Sequence, residues 1–472
     1  MAEGRRAFKP MAAGRLAATA LVLAAAASGD ERVAGHWEGE VQIPGQPLVV
    51  KVDLESGGGL WSGSIDIPAQ GAAGLSLEAI EVSADASQVT FSIRGVPGNP
   101  TFRGTLDGGV ISGRFSQGPA AFGFRLSREA AAEPARPQEP RPPYPYKTEE
   151  ISFQNGPVTL AGTLTLPPGE GPFPAVLLIS GSGLQDRDQT VFGHRPFLVW
   201  ADHLTRAGLA VLRVDDAGAG GSTPHPQPPT TADFAGDAAA AVDFLGRDER
   251  IGPVGLMGHS EGGAIAAIVA SQREDVAFVV LLAGPGVPGA ELLRRQNERL
   301  FEAAGMPVGH RQALLALLDR LFPALASDRD EADLRPEVEE IVRRQFEMNG
   351  VPAAQQDDSQ VQAAVDQALD PWMRWFLAFD PRPALGAVRA PVLALNGELD
   401  LQVDGQQNLT AIATALEAGG NRDVTVRSLP GHNHLFQRAS TGRIDEYSAI
   451  EETLSPLVLD EVRDWILTVT GE

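Results

Sequence analysis

A serine between two glycines, in the run Gly258-His259-Ser260-Glu261-Gly262, has the clearest chemical meaning in the sequence. An apolar run, PVGLMG, precedes it and an alanine-rich segment follows it, which predicts a tight turn from a buried strand into a helix. Small flanking residues let such a turn present the serine hydroxyl above a sheet, at a helix N-terminus that favours negative charge. Ser260 is therefore predicted to be a nucleophile for acyl transfer rather than a structural turn residue.

A serine nucleophile needs an imidazole base that a carboxylate orients, and after this type of turn the chain order is acid, then histidine. Asp400 ends the strand-like run PVLALNGELD and is the predicted acid, with Glu398 and Asp404 as competitors. His434 in LPGHNHLF is the predicted base, ahead of His432, because it stands three residues after a turn glycine and just before an apolar residue.

The negative oxygen formed during acyl transfer needs two backbone N–H donors, one after the nucleophile and one from a loop after an earlier strand. Glu261 supplies the first N–H. The glycine-rich loop after AVLLIS supplies the second, from Ser182 or, next in preference, Gly183. A phosphate-binding loop is the alternative for this segment, but the sequence lacks the Lys-Ser/Thr continuation and the G-x-G-x-x-G spacing.

These residues lie in a region, residues 147–472, where strand-like and helix-like runs alternate, which predicts a mostly parallel central sheet. The alternation is interrupted by a helix-rich insertion at about 287–380, interpreted as a lid, with a plain helical subdomain as the alternative. Trp372 and Trp375 in this insertion are predicted to contact substrate.

Residues 33–128 alternate short β-like runs with glycine turns, which predicts a small antiparallel sandwich or barrel. Its aromatic residues are interpreted as core packing rather than as a ligand-binding face. The proline-rich residues 129–146 predict an extended linker.

Residues 1–29 have basic residues, an apolar run and a small-residue end in the order of a secretory signal peptide, with a buried helix as the alternative. We therefore expect a periplasmic or extracellular protein with no stable membrane span after signal removal. The run RRAFK weakly resembles a twin-arginine signal, and the start at Met1 or Met11 stays open.

The composition excludes several classes of site. A formal net charge of −23 argues against nucleic-acid binding, which needs clustered Lys and Arg. The absence of cysteine excludes disulfides, thiolate metal sites and thiol nucleophiles. No metal and no organic cofactor are expected, and the oligomeric state is left open.

The segments FPAVLLISGSGLQDRD, LAVLRVDDAGAGGST, GHSEGG, PWMRWFLAFDP, PVLALNGELDLQV and LPGHNHLFQ occur in this order. In this respect the chain resembles the α/β-hydrolase superfamily, and more closely secreted bacterial serine esterases with an N-terminal β-domain. The resemblance implies the α/β-hydrolase fold and a Ser260, Asp400, His434 triad acting on a small-molecule carboxylic ester without a cofactor. The chain has alanine at position 217, where the group usually has an arginine. Substrate contacts that the group makes around Asp216 are therefore not assigned to this chain.

Two other functions stay open. An aminopeptidase or amidase of the same fold would use the same triad on amide bonds. A non-catalytic binding protein, with the β-domain recognising a glycan or envelope component, belongs to another class, since fold alone does not determine function.

Overall fold

The computed structural model describes residues 32–42, 48–57, 60–67, 72–83, 85, 87–96, 98–117, 120–128, 135–353, 356 and 358–471. The predicted signal peptide and residues 129–134 of the predicted linker lie outside the described residues. None of the helices in the described part combines the length and apolar character that a membrane span requires.

Eight antiparallel strands near the N-terminus close into a barrel, because β1 pairs with both β2 and β8. The strands are β1 (Gly35–Gln42), β2 (Leu48–Gly57), β3 (Leu60–Ile67), β4 (Ala72–Val82), β5 (Gln88–Ile93), β6 (Thr101–Asp107), β7 (Val110–Gln117) and β8 (Ala120–Ser127). Inward and outward positions alternate as expected for a pleated strand: Val50, Val52 and Leu54 of β2 are buried, and Asp53 between them is exposed. Of the two architectures expected from the sequence, the barrel is the one observed.

Aromatic side chains fill the barrel interior. Phe102 lies 4.8 Å from both Phe91 and Phe115, and 5.1 Å from Phe124, between ring centroids. Trp37 is fully buried and its indole N–H donates to the carbonyl oxygen of Val33. These contacts support the core-packing interpretation of the aromatic residues, because the rings contact one another rather than solvent.

The second part of the chain contains one eight-stranded sheet in the order β16-β15-β14-β13-β11-β12-β10-β9. Strands β11 to β16 are parallel, and the hairpin β9–β10 extends the sheet antiparallel at the β12 edge. The strands are β9 (Lys147–Asn155), β10 (Val158–Leu166), β11 (Phe173–Ile179), β12 (Ala210–Val214), β13 (Ile251–His259), β14 (Val276–Leu282), β15 (Val392–Gly397) and β16 (Val424–Leu429). A mostly parallel sheet was predicted from the alternation of strands and helices.

Helices cover both faces of this sheet. In β11, Leu177 faces the cluster that contains Ile265, whereas Val176 and Leu178 face the cluster that contains Trp200. A parallel sheet buried on both faces explains why its strands are continuous apolar runs. The helices are α1 (Pro196–Arg206), α2 (Thr231–Leu245), α3 (Glu261–Gln272), α4 (Gly289–Ala303), α5 (Val308–Leu325), α6 (Glu331–Met348), α7 (Asp358–Ala368), α8 (Pro371–Ala378), α9 (Arg382–Ala387), α10 (Gly405–Ala418), α11 (Ile444–Tyr447) and α12 (Pro456–Thr470).

The predicted insertion is helical, and helices α4 to α8 lie between β14 and β15. Apolar side chains spaced along α6 and α7, among them Leu334, Val338 and Val361, form a separate core with Phe322 of α5. The insertion therefore has its own packed interior. Apolar residues repeated at the helical period predict such an interior, whereas a loop would lack this repeat.

The proline-rich segment is hydrogen-bonded to the sheet domain where the structure describes it. Arg136 donates to the carbonyl oxygens of Ser448, Ile450 and Gly193. Gln138 donates to Leu454 O and accepts from the backbone N–H groups of Thr453 and Leu454. The proline content predicts an extended backbone. The hydrogen bonds of the polar side chains between the prolines hold this backbone against the sheet domain.

We expect the double variant Arg136→Ala/Gln138→Ala to lower the free energy of unfolding of the sheet domain by about 2 kcal/mol, because each lost bond involves a charged or part-buried partner. Chemical denaturation followed by tryptophan fluorescence measures this change. Arg141→Ala is the matched control, since Arg141 is exposed in the same segment. Equal stabilities of the two variants would contradict the docking role.

Candidate active site

Ser260 lies in a sharp turn between β13 and α3. Its backbone has φ 54° and ψ −121°, a positive φ that is costly for a residue with a side chain. Glycine is required on both sides, because a Cβ on Gly258 would lie 2.0 Å from Gly262 O, and one on Gly262 would lie 2.2 Å from Ile179 O. The backbone N–H of Ser260 donates to Leu282 O, so the turn is anchored to the neighbouring strand. This geometry is that of a nucleophile elbow.

His434 and Asp400 form a hydrogen-bonded pair, with 2.7 Å between His434 Nδ1 and Asp400 Oδ2. Asp400 is completely buried, and its Oδ1 accepts from the backbone N–H groups of Gln402 and Val403. Asn396 Nδ2 donates to Oδ2. Three donors besides the histidine therefore fix the carboxylate and compensate its burial.

The competing residues have other partners. Asp404 caps α10 by accepting from Gln407 N, and its Oδ2 also accepts from Arg295 and Arg299. His432 directs Nδ1 to the carbonyl oxygen of Pro430. The structure thus brings Asp400 and His434 together.

The glycine-rich loop after β11 passes directly over the serine. A Cβ built on Gly181 would lie 3.2 Å from Ser260 Cβ, closer than most Cβ contacts, so glycine favours this close approach of the loop. Glu261 is the first residue of α3, where backbone N–H groups have no partner within the helix. Ser182 is exposed and Gly183 has φ +89°. The assignment of their N–H groups as oxyanion donors stays a prediction.

The turn after β12 is held by a residue from the preceding loop. Arg187 donates to Asp215 through its backbone N–H, Nε and Nη2. Gly221 N also donates to Asp215 Oδ2. Ala217, the position where an arginine is usual, is buried against Val158 and Leu160 instead. Arg187 therefore supplies a guanidinium to this turn that position 217 does not.

Asp216 is half-buried beside the elbow, and its pKa is far from the usual range of an aspartate. Burial raises the pKa of Asp216 to about 7, although the N–H of Gln185 and the hydroxyl of Ser180 donate to the carboxylate and oppose this rise. The charges of Glu261 and Asp237 raise the pKa further. Asp216 therefore changes its protonation state near neutral pH.

We expect Asp216→Asn to match the wild type in stability below about pH 4 and to exceed it by a margin that grows between pH 4 and pH 7. Between pH 4 and 7 the folded chain holds a proton on Asp216 that the unfolded chain has released, so wild-type stability falls as the pH rises. The total effect is on the order of 3 to 4 kcal/mol. Asparagine mimics the neutral acid, because its side chain has an accepting oxygen and a donating NH₂ group. It does not titrate, so it adds no pH dependence to the stability.

The test is urea denaturation of both proteins from pH 4.5 to 8.5. A constant stability difference over that range would contradict the raised pKa of Asp216.

The side chain of Glu261 has a role that the sequence did not reveal. Its Oε1 accepts from Thr231 Oγ1 at 2.6 Å and from Trp372 Nε1 at 2.7 Å. Burial raises the pKa of Glu261, and these two donors oppose the rise. Asp370 caps α8 by accepting from the backbone N–H groups of Trp372 and Met373, so the backbone that carries the indole is anchored. Glu261 therefore links the helical insertion to the elbow.

Trp372 and Trp375 have different surroundings. Trp372 contacts Glu261, the residue after the serine, and stacks on Phe376 at 5.3 Å. Trp375 stacks on Phe379 at 4.7 Å, at the end of α8. Of the two, Trp372 is the one with a direct contact to the elbow.

A cavity of about 50 Å³ lies between the glycine-rich loop, the β12 turn, α2 and α3. Four carboxylates line it, those of Asp215, Asp216, Asp237 and Glu261, and each has hydrogen-bond partners within the chain. Asp237 accepts from Asn155 Nδ2 and is bonded to His225 Nε2, while the other three have the partners given above. Within the described residues no group of three or more His, Asp or Glu side chains is arranged to hold a metal ion.

His259 directs its side chain toward the loop that carries His434. Its Nε2 lies 3.0 Å from the carbonyl oxygen of His434, and the two imidazole rings are 4.7 Å apart between centroids. Gln189, which the sequence did not single out, lies 2.7 Å from His259 Nδ1 through its Nε2. No sequence signal indicates which way these side chains point.

Comparison with known proteins finds similarity to hydrolases. The chain is 33% identical over 156 residues to the esterase EstD of Thermotoga maritima, which covers 32% of this chain and 37% of that protein. The match thus spans little more than a third of this curated relative. Among solved structures, an esterase of Pyrococcus furiosus has 12% identity and a TM-score of 0.43, with 69% of this chain and 91% of that chain covered.

A proline iminopeptidase of Mycobacterium smegmatis is similar at 16% identity and a TM-score of 0.42, with 68% of this chain and 98% of that chain covered. Residues 197–438 match the family described as serine aminopeptidase, S33, and this range contains the elbow, the insertion and the residues that follow it. Because the match extends over more than half of the chain, the protein belongs to the serine aminopeptidase S33 family of the α/β-hydrolase superfamily.

Proposed function

We propose that this protein is a serine carboxylesterase, which cleaves carboxylic esters through an acyl-enzyme on Ser260. The proposal rests on one observation: a strained elbow presents Ser260 at the carboxyl end of β13, while the hydrogen-bonded pair His434–Asp400 follows β16 and β15. The ring of His434 lies 4.7 Å from that of His259, the residue before Ser260, which supports its approach to the serine hydroxyl.

In the proposed reaction, His434 takes the Ser260 proton as Oγ attacks the ester carbonyl, and Asp400 stabilises the imidazolium that forms. The oxygen that becomes negative accepts hydrogen bonds from Glu261 N–H and from the N–H of Ser182 or Gly183. The alcohol then leaves with the proton from His434. Water, deprotonated by His434, attacks the acyl-enzyme and releases the acid.

The α4–α8 insertion is proposed to act as a lid that sets the acyl and alcohol preference. The hydrogen bond of Trp372 to Glu261 supports this role, because it connects α8 to the residue that follows the nucleophile. Trp375 remains a proposed substrate contact. An unchanged acyl-length preference in Trp375→Ala would count against that contact.

Aminopeptidase activity is the second candidate, and the description of the matched family favours it. Such an enzyme needs a carboxylate available to a substrate ammonium group. The four carboxylates that line the cavity beside the elbow are already engaged: Asp215 with Arg187, Asp216 with Ser180 and Gln185, Asp237 with Asn155 and His225, and Glu261 with Thr231 and Trp372. Because these carboxylates already have partners, the structure supports the proposal of ester hydrolysis over that of aminopeptidase activity.

The experiment compares kcat/KM of the purified enzyme for p-nitrophenyl acetate, butyrate and octanoate with that for alanyl and prolyl p-nitroanilides. We expect hydrolysis of the esters and at most traces of anilide hydrolysis. Anilide turnover equal to ester turnover would support the aminopeptidase. Failure of every substrate, together with no labelling by a fluorophosphonate probe, would support the non-catalytic binding protein.

We also propose that the protein is exported, on the strength of the basic, apolar and small-residue order within residues 1–29. Mass determination of the N-terminus of the protein isolated from its host tests this proposal. A chain that retains residues 1–29 in the cytoplasm would overturn it.

A further inference from the structure

A chain of hydrogen bonds runs through His259 and connects three loops of the site. Gln189 belongs to the segment that follows the glycine-rich loop, His259 belongs to the elbow, and His434 belongs to the loop after β16. The distances are 2.7 Å from Gln189 Nε2 to His259 Nδ1 and 3.0 Å from His259 Nε2 to His434 O. All three side chains are buried.

The acceptor at one end determines the tautomer of His259. The carbonyl oxygen of His434 can only accept, so His259 Nε2 must carry a proton and donate it. In the neutral imidazole Nδ1 is then an acceptor, and Gln189 satisfies it by donating from its amide nitrogen. The chain thus has one consistent direction, from Gln189 through His259 to His434.

Gln189 holds its position at a backbone cost. It has φ 53°, a conformation that is costly for a non-glycine residue and that clusters at functional sites. Its Nε2 also lies only 3.6 Å from the point where a Cβ on Gly181 would stand, so it packs below the loop that covers Ser260. Such an arrangement persists only when surrounding contacts stabilise it.

We propose that His259 is a positioning residue: by donating from Nε2 to the carbonyl oxygen of His434, it fixes the backbone of the base relative to Ser260. The proposal rests on the proposed function, because it assigns His434 as the base. Asp400 fixes the ring through Nδ1, and His259 fixes the main chain of the same residue, so His434 is held from two sides.

The charge state of His259 suits this position. Burial lowers the pKa of His259 to about 3, and the nearby ring of His434 lowers it as well, while the carbonyl oxygen of His434 and the carboxylate of Asp400 oppose the change. A neutral His259 places no positive charge beside His434 when that residue takes the serine proton. A protonated neighbour at this distance would oppose that step.

Two substitutions separate the hydrogen bond from the volume of the ring. His259→Gln places an amide nitrogen at about the position of His259 Nε2 and keeps the donor to His434 O. His259→Asn places its amide near the position of Nδ1, toward Gln189, and loses the donor to His434 O. Both variants remove the imidazole ring. A loss of activity caused only by the missing ring volume would therefore be seen in both.

The measurements are the rate of fluorophosphonate labelling of Ser260, kcat and KM on p-nitrophenyl butyrate, and the melting temperature. We expect His259→Asn to lower the labelling rate and kcat about 10- to 100-fold, since a displacement of about 1 Å can cost this much, with KM within about threefold of wild type. We expect His259→Gln to stay within about threefold of wild type in the labelling rate, in kcat and in KM.

Equal losses in the two variants, or an unaffected His259→Asn, would overturn the proposal. Labelling reports an activated serine whatever the substrate, so a wild type that is labelled but inactive on esters contradicts only the proposed substrate class. A wild type that is not labelled overturns both proposals.

A measurement on the wild type keeps the proposal testable if either variant fails to fold. Selective ¹⁵N labelling of histidine should show one imidazole that stays neutral, with its proton on Nε2, from pH 5 to 9. The variant His259→Phe assigns this signal, which should be absent from its spectrum. A proton on Nδ1, or titration of this residue between pH 5 and 9, would contradict it.

Discussion

Replacing Ser260 by alanine is expected to reduce kcat on p-nitrophenyl esters by about 10⁶-fold, the loss typical of removing a serine nucleophile. The fold should persist, because alanine keeps the Cβ of the strained turn and only the hydroxyl is removed. The measurement is initial-rate kinetics at saturating substrate, combined with thermal melting to establish that the variant is folded.

Ser182→Ala is the matched control, because Ser182 is a serine between two glycines in the loop over the same site. Only its backbone N–H enters the proposed mechanism, so its loss should leave kcat within about threefold of wild type. A fluorophosphonate probe should label wild type and Ser182→Ala but not Ser260→Ala. Labelling of Ser260→Ala would place the nucleophile elsewhere.

Asp400→Asn is expected to lower kcat by a factor on the order of 10⁴ without unfolding the protein. The amide oxygen of asparagine should take the place of Asp400 Oδ1, which accepts from Gln402 N and Val403 N. The amide nitrogen then faces His434 Nδ1 and donates to it. His434 would consequently carry its proton on Nε2, the nitrogen that must accept the serine proton, and it could no longer act as the base.

Asp404→Asn is the control for this prediction. Asp404 lies four residues from Asp400 and competed with it as the acid, but it accepts from Arg295, Arg299 and Gln407 N. Asparagine is also a good N-cap residue, so α10 should remain intact. We expect kcat of Asp404→Asn within about threefold of wild type, and a comparable loss in both variants would disqualify Asp400 as the acid.

The elbow was predictable because the pattern that identifies it, small residues around a serine between an apolar run and an alanine-rich run, lies within a few residues. Gly258 and Gly262 are needed for contacts made inside the turn and against β11, and the apolar run before them and the alanines after them identify strand and helix. The alternation that predicts a mostly parallel sheet is equally local, since the hydrophobic period of each strand and helix is set within a short segment. The pairing of β9 with β10 also follows from neighbouring residues.

The direction of individual side chains was not predictable. His259 and Glu261 flank the same serine, yet one donates to a carbonyl 175 residues away and the other accepts from a tryptophan 111 residues away. In the same way, no local pattern indicated that Arg187 would hold Asp215 in place of the arginine expected at position 217, since the partners come from separate loops. The docking of Arg136 on residues 448–450, more than 300 residues later, is a further case.

The sequence by itself determined the elements, their order and the candidate nucleophile, because turns, periodicity and capping depend on residues that are close in the chain. The tertiary structure decided the closure of β1 against β8, the partner of His434 and the chain of hydrogen bonds from Gln189 through His259 to His434. These contacts join distant segments, and only the packing of the sheet and its loops brings their polar atoms within hydrogen-bond distance.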